Sequence, residues 1–129
     1  MIGKHGSIVL LLVTFIVLGS GYSLTTPIFE APDEIEHYFY IWNIANGGGL
    51  PVQDPQNLGP WGQEGGQPPL FYILGALLTF RVESSDAPNL VRRNPHANVG
   101  LPLAYGNKDI IIHTDREAFP YRGGVLAVH

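Results

Sequence analysis

The sequence predicts a mainly α-helical membrane-protein fragment. It would hold one N-terminal transmembrane helix, an amphipathic juxtamembrane helix, a second short apolar helix and long irregular loops. Three observations lead there. Residues 6–29 carry no charge, apolar side chains then recur at helical spacing from Ile35, and a second uncharged run covers residues 65–80. Composition agrees: only 14% of the 129 residues are charged, against roughly 25% in soluble domains. The net charge of −4 offers no basic field, so nucleic acid is not an expected partner. With no cysteine, disulfides and thiolate metal sites are excluded.

The first element runs from Ser7 to Leu24 or Ile28, close to the roughly 20 apolar residues that cross a bilayer. Lys4 and His5 precede it and Glu30, Asp33, Glu34 and Glu36 follow it. The positive-inside rule then sets the N-terminus in the cytoplasm of an integral plasma-membrane protein, with residues 30–67 extracytoplasmic. The apolar core Ile8–Leu18 also has the length of a signal-peptide core, and Gly19, Gly21 and Ser23 suit a cleavage site. The second apolar run favours an uncleaved anchor over that alternative.

Residues 30–67 hold six acids and no Lys or Arg. Within them, Ala31-Pro32-Asp33-Glu34 reads as a helix start, with Asp33 able to cap and the acids favoured by the helix dipole. Ile35, Tyr38, Phe39, Trp42 and Ala45 then form one apolar stripe, which predicts a helix over 33–46. Its aromatic residues suit a lipid–water boundary, or equally the core of an ordinary amphipathic helix. Gly47-Gly48-Gly49 ends the helix, and Leu50 to Gly66 reads as irregular loop.

A second apolar helix is expected over 68–81, transmembrane or re-entrant, opened by Pro68-Pro69. Residues 82–120 read as a loop region in which Ile110–His113 suits a short strand. From Arg81 onward there are six bases and five acids, a slight excess that leans this segment toward the cytoplasm. Residues 121–129 read as the start of a third apolar helix cut short.

Chemistry concentrates in Asp33-Glu34-Ile35-Glu36-His37. On a helix Asp33 and His37 are one turn apart and share a face, and Glu34 is offset by one residue. One carboxylate can take a proton from an acceptor hydroxyl or amine. Another, with Asp33, Glu34 and His37 as candidate ligands, can help hold a divalent cation beside a phosphate leaving group. Glu64 would join the site if its loop folds back on the membrane surface. His96, His113 and His129 have no ligand spacing, and no nucleophile elbow, phosphate loop or HExxH motif is present.

The order of these pieces resembles the start of the GT-C type integral membrane glycosyltransferases, which include protein O-mannosyltransferases and aminoarabinose transferases. The resemblance covers about residues 7–80 and rests on Pro32-Asp33-Glu34 with His37, Leu50-Pro51, and Gln67-Pro68-Pro69-Leu70-Phe71-Tyr72. It implies a polyprenyl-phosphate sugar donor, a lipid-bilayer setting and an extracytoplasmic acceptor. It also implies that Asp33 is the catalytic carboxylate and Glu34 its companion. His37, Glu64 and Gln67 would bind substrate, Gln67 where related enzymes carry a Lys or His near the donor phosphate. Gln67 departs from that pattern because it is neutral. The 129 residues alone would then be inactive, for want of further helices to enclose the lipid. The competing expectation is a small anchored or secreted binding protein with an acidic amphipathic helix and no catalysis.

Overall fold

The computed structural model describes residues 5–98, 100–101, 103, 105–106, 108–117 and 122–123. It is mainly helical. Helices α1 (Gly6–Thr25), α2 (Glu34–Ala45), α3 (Leu70–Thr79) and α4 (Ala87–Leu90) alternate with two 3₁₀ turns, Gly62–Gly66 and Asp115–Glu117. The expected third apolar helix at 121–129 lies outside the described residues, apart from Arg122 and Gly123.

The 20 residues of α1 are uncharged and mostly apolar, and none is buried. At 1.5 Å per residue the helix is about 30 Å long, the thickness of a bilayer's hydrocarbon core. Pro27 stops it, since proline has no N–H and forces the residue before it to extend. The chain then turns sharply through Phe29, at φ 65°, and Asp33, at φ 60°.

Helix α2 spends its apolar stripe inside the chain. Ile35 and Phe39 join Ile28, Phe29, Ala87 and Ile111 in the core, and Tyr38, Trp42 and Leu90 flank it. The aromatic residues therefore serve packing, and the stripe is occupied by this chain's own residues. The other side of α2 meets α3. The Tyr40 and Tyr72 rings stack with centroids 3.8 Å apart, and Gly75 lets Ile41 approach closely. Past α2, Gly47 adopts φ 81° and Gly48 donates its N–H to the Asn43 carbonyl at 2.8 Å. This glycine ending is the expected one.

Helix α3 has ten residues, about 15 Å by helical rise. That is about half the thickness of a hydrocarbon core. Tyr72 and Ala76 are buried on α2, while Leu70, Phe71, Leu74, Leu77 and Leu78 are exposed. The segment after it then returns to the same core as residues 28–39 through Ala87 and Ile111. Ala87, Leu90, Val91, Ile110 and Ile111 thus pack with Ile28, Phe29, Ile35 and Phe39 in one core.

The expected strand at Ile110–His113 reduces to one antiparallel bridge, Arg93 with Ile111. Ile112 donates to the Arg92 carbonyl and Asn94 to that of Ile110. The ladder gains no second bond at Asn94 because the Ile110 amide, which would donate there, bonds to Glu30 instead.

Candidate functional site around the start of helix α2

The turn before α2 is built on strain. A bulky residue in the left-handed region costs about 1–2 kcal/mol. Phe29 recovers that by complete burial, 1% exposed, which is worth roughly 1.5–3 kcal/mol. Asp33 has no such return. It is exposed, sits at φ 60° and makes no side-chain cap to the helix. The expectation that Asp33 caps α2 is thus corrected. A cap residue needs an extended backbone to aim its oxygen at the first turn, and the left-handed geometry prevents this. Glu34 does the structural work, with Oε2 accepting the Ala31 N–H at 3.1 Å.

Asp33, Glu34 and Glu36 line one groove with Phe29, Pro32 and Arg93. Arg93 comes from the bridge segment, 57 residues from its partner Glu36, at Nη2–Oε1 3.5 Å. Its side chain is 63% exposed, so the pair is a loose surface ion pair and the guanidinium can serve another anion. Sequence inspection missed Arg93 because nothing local marks it.

His37 points elsewhere. Its Nδ1 lies 2.8 Å from the Tyr72 hydroxyl on α3, and its Nε2 lies 3.8 Å from Glu64 Oε2. Glu64 is buried, at 5% exposure, on the 3₁₀ turn. Glu64 thus stands beside His37 and Tyr72, and does not line the groove of Asp33, Glu34 and Glu36. Gln67 stays exposed at the end of the 3₁₀ turn, its amide nitrogen on the Glu64 carbonyl at 2.9 Å, and lines neither place.

Among the described residues no three His, Asp or Glu side chains form a set able to hold a metal ion. Asp33, Glu34 and His37 do not make the divalent-cation site considered from sequence. Glu34 Oε2 turns back to its own loop and the His37 ring turns to α3.

A charge chain braces the groove from behind. Glu30 accepts from the Ile110 N–H at 2.7 Å and the Ile111 N–H at 2.9 Å, and lies 2.7 Å from His113 Nε2. His113 Nδ1 is 2.9 Å from Glu117 Oε2, and Arg92 and Thr114 hold the other Glu117 oxygen. Both His113 ring nitrogens thus face carboxylates. Burial alone would raise the Glu117 carboxyl. The hydrogen bonds from His113, Arg92 and Thr114, with the Arg92 charge, outweigh it and hold the group below its usual range. His113, which lacks any ligand spacing in sequence, is a structural link.

No family model, curated protein or solved structure matches this chain.

Proposed function

We infer that this chain supplies the donor-site carboxylate of a membrane glycosyltransferase, which moves a sugar from a polyprenyl-phosphate carrier to an extracytoplasmic acceptor. The observation that carries the reading is Asp33: a strained, exposed carboxylate that neither caps its helix nor fills the core. Strain of this kind persists where geometry serves a task other than stability. A helix long and apolar enough to span a bilayer ends eight residues before it, Thr25 against Asp33. That spacing suits a carbohydrate phosphate held at a lipid surface. In this reading α1 anchors the chain in the plasma membrane with its N-terminus cytoplasmic, and residues 30–67 and 84–117 lie outside.

Asp33 takes the proton of the acceptor hydroxyl or amine as the acceptor atom bonds to the sugar's anomeric carbon. The bond from that carbon to the phosphate oxygen breaks, and polyprenyl phosphate leaves. Arg93 neutralises the leaving phosphate through its planar, two-pronged donors, the charge that Gln67 lacks. Glu34 pins the turn that presents Asp33.

Two substitutions separate chemistry from folding. Asp33→Asn, made in the intact glycosyltransferase to which the chain is proposed to belong, removes the base and is expected to lower transfer from polyprenyl-phosphate-linked sugars in vesicles by about 100-fold or more. Asp33→Gly also removes it, yet relieves the left-handed strain, so stability holds or rises by up to about 1 kcal/mol. Undiminished transfer in Asp33→Asn would remove Asp33 from the mechanism.

A further inference from the structure

Helix α3 has two faces of opposite character. Tyr72 and Ala76 are buried on the α2 side, where Gly75 admits Ile41. Leu70, Phe71, Leu74, Leu77 and Leu78 point the other way and are 52–84% exposed. Their spacing of i, i+1, i+4, i+7 and i+8 makes one continuous stripe, and residues 65–80 carry no charge to interrupt it. Protein partners dock on surfaces with a polar rim and about one hydrogen bond per 100–200 Å², anchored by Tyr, Trp or Arg. A stripe of Leu and Phe alone offers no side-chain donor or acceptor. It matches hydrocarbon, which needs none.

The chain itself brings lipid to this stripe. Helix α1 is long and apolar enough to span a bilayer. It ends at Thr25, and Ile28 already belongs to the core that α2 packs on. That stretch of backbone reaches about 10 Å at most, so the core is tethered at the bilayer surface. What packs on the α2 face of α3 then sets its tilt. The Tyr72 hydroxyl lies 2.8 Å from His37 Nδ1, His37 Nε2 lies 3.8 Å from Glu64, and Glu36 of α2 pairs with Arg93. An upright α3 would draw these ionisable groups into the hydrocarbon, where a charge costs roughly 2.5–3.5 kcal/mol or more. A flat α3 keeps them on the water side and gives lipid only the stripe. Arg81 follows the helix with its guanidinium 5.1 Å from the centre of the exposed Phe80 ring. It sets a cation at the end of the stripe, where lipid phosphates lie.

We propose that α3 is an interfacial helix. It lies in the plane of the membrane that α1 crosses, with Leu70, Phe71, Leu74, Leu77 and Leu78 sunk among the acyl chains and Arg81 at the phosphates. The inference rests on α1 as the span, which is part of the reading above, and not on glycosyl transfer.

The chain has no cysteine, so single cysteines carry a spin label without background. Leu70→Cys, Leu74→Cys, Leu77→Cys and Leu78→Cys are each made in the full chain, at exposed positions that leave the packing on α2 intact. Val13→Cys, midway along α1, is the depth reference. The proteins are reconstituted in vesicles of phosphatidylcholine and phosphatidylglycerol. Depth is read from relaxation by oxygen, which concentrates in hydrocarbon, against relaxation by a water-soluble nickel chelate. The four α3 labels are expected within a few Å of one another, roughly 5–10 Å below the headgroup boundary, with Val13→Cys near the bilayer centre. A gradient of about 12 Å from Leu70 to Leu78, the helical rise between them, overturns the proposal in favour of an upright helix. Labels shielded from both reagents overturn it because protein covers the stripe, and labels reached by the chelate alone because water does. A Val13→Cys label outside the hydrocarbon removes α1 as the span and this inference with it. A shared shallow depth in a protein without transferase activity keeps the interfacial helix and sinks the transferase reading.

Discussion

Replacing Glu30 by alanine should unlatch the segment behind the groove. The Glu30 carboxylate bonds the Ile110 and Ile111 amides and sits 2.7 Å from His113 Nε2. All three partners lie about 80 residues away in sequence, so this one side chain ties the two halves of the core together. Hydrogen bonds to a charged group contribute about 1.5–3 kcal/mol each, less than additively within one network. The Glu30 side chain is 13% exposed and Ile111 is 1% exposed, so water replaces the lost acceptor poorly. The net loss is about 3 kcal/mol, from the two backbone donors left without their charged acceptor. A local loss of about 3 kcal/mol speeds amide exchange more than about a hundredfold. Hydrogen exchange at Ile110 and Ile111 is the direct readout, with the Ala76 amide on α3 as an internal reference. Glu30→Gln should fall between: one side-chain oxygen still accepts, while its NH₂ faces an amide that also donates. Exchange at Ile110 and Ile111 within about threefold of the parent protein would refute the account, since that is below 1 kcal/mol.

Two further outcomes follow from packing and charge. In Gly75→Val a Cβ would stand 2.8 Å from Ile41 Cδ1 and 3.1 Å from Cγ1, so α3 must move off α2. Overpacking of this kind costs about 1–3 kcal/mol, and unchanged urea stability would count against the close approach. Glu117 carries the pH dependence. Its folded carboxyl lies below the ordinary 4.5, so its contribution is fully present above that pH. The contribution is lost as pH falls through the lower folded value, because the unfolded chain then binds the proton first. Stability measured from about pH 6 to about pH 3 should fall at the acid end, and Glu117→Gln should flatten that fall. A variant with the same acid slope would remove Glu117 as its source.

Helix existence was legible in the residues because it depends on neighbours three and four apart. The expected helix over 33–46 is found at Glu34–Ala45, the expected 68–81 at Leu70–Thr79, and the first apolar run at Gly6–Thr25. Pro27 follows the first helix, Gly47 the second, and Pro69 opens the third. The turn Gly62–Gly66 escaped notice, because a five-residue 3₁₀ turn of Gly, Gln and Glu has no apolar period to report it.

The sequence by itself determined which segments are helical. Only the tertiary structure decided how they are grouped. It split Asp33 from His37 by turning one into a groove with Arg93 and the other toward Tyr72 and Glu64. It packed Ala87 and Ile111 against Ile28, Phe29, Ile35 and Phe39. It also made His113 the link between Glu30 and Glu117. These groupings join residues up to 83 apart. Local spacing carries no information about such pairs; they are selected by which burials and hydrogen bonds can be satisfied together in three dimensions.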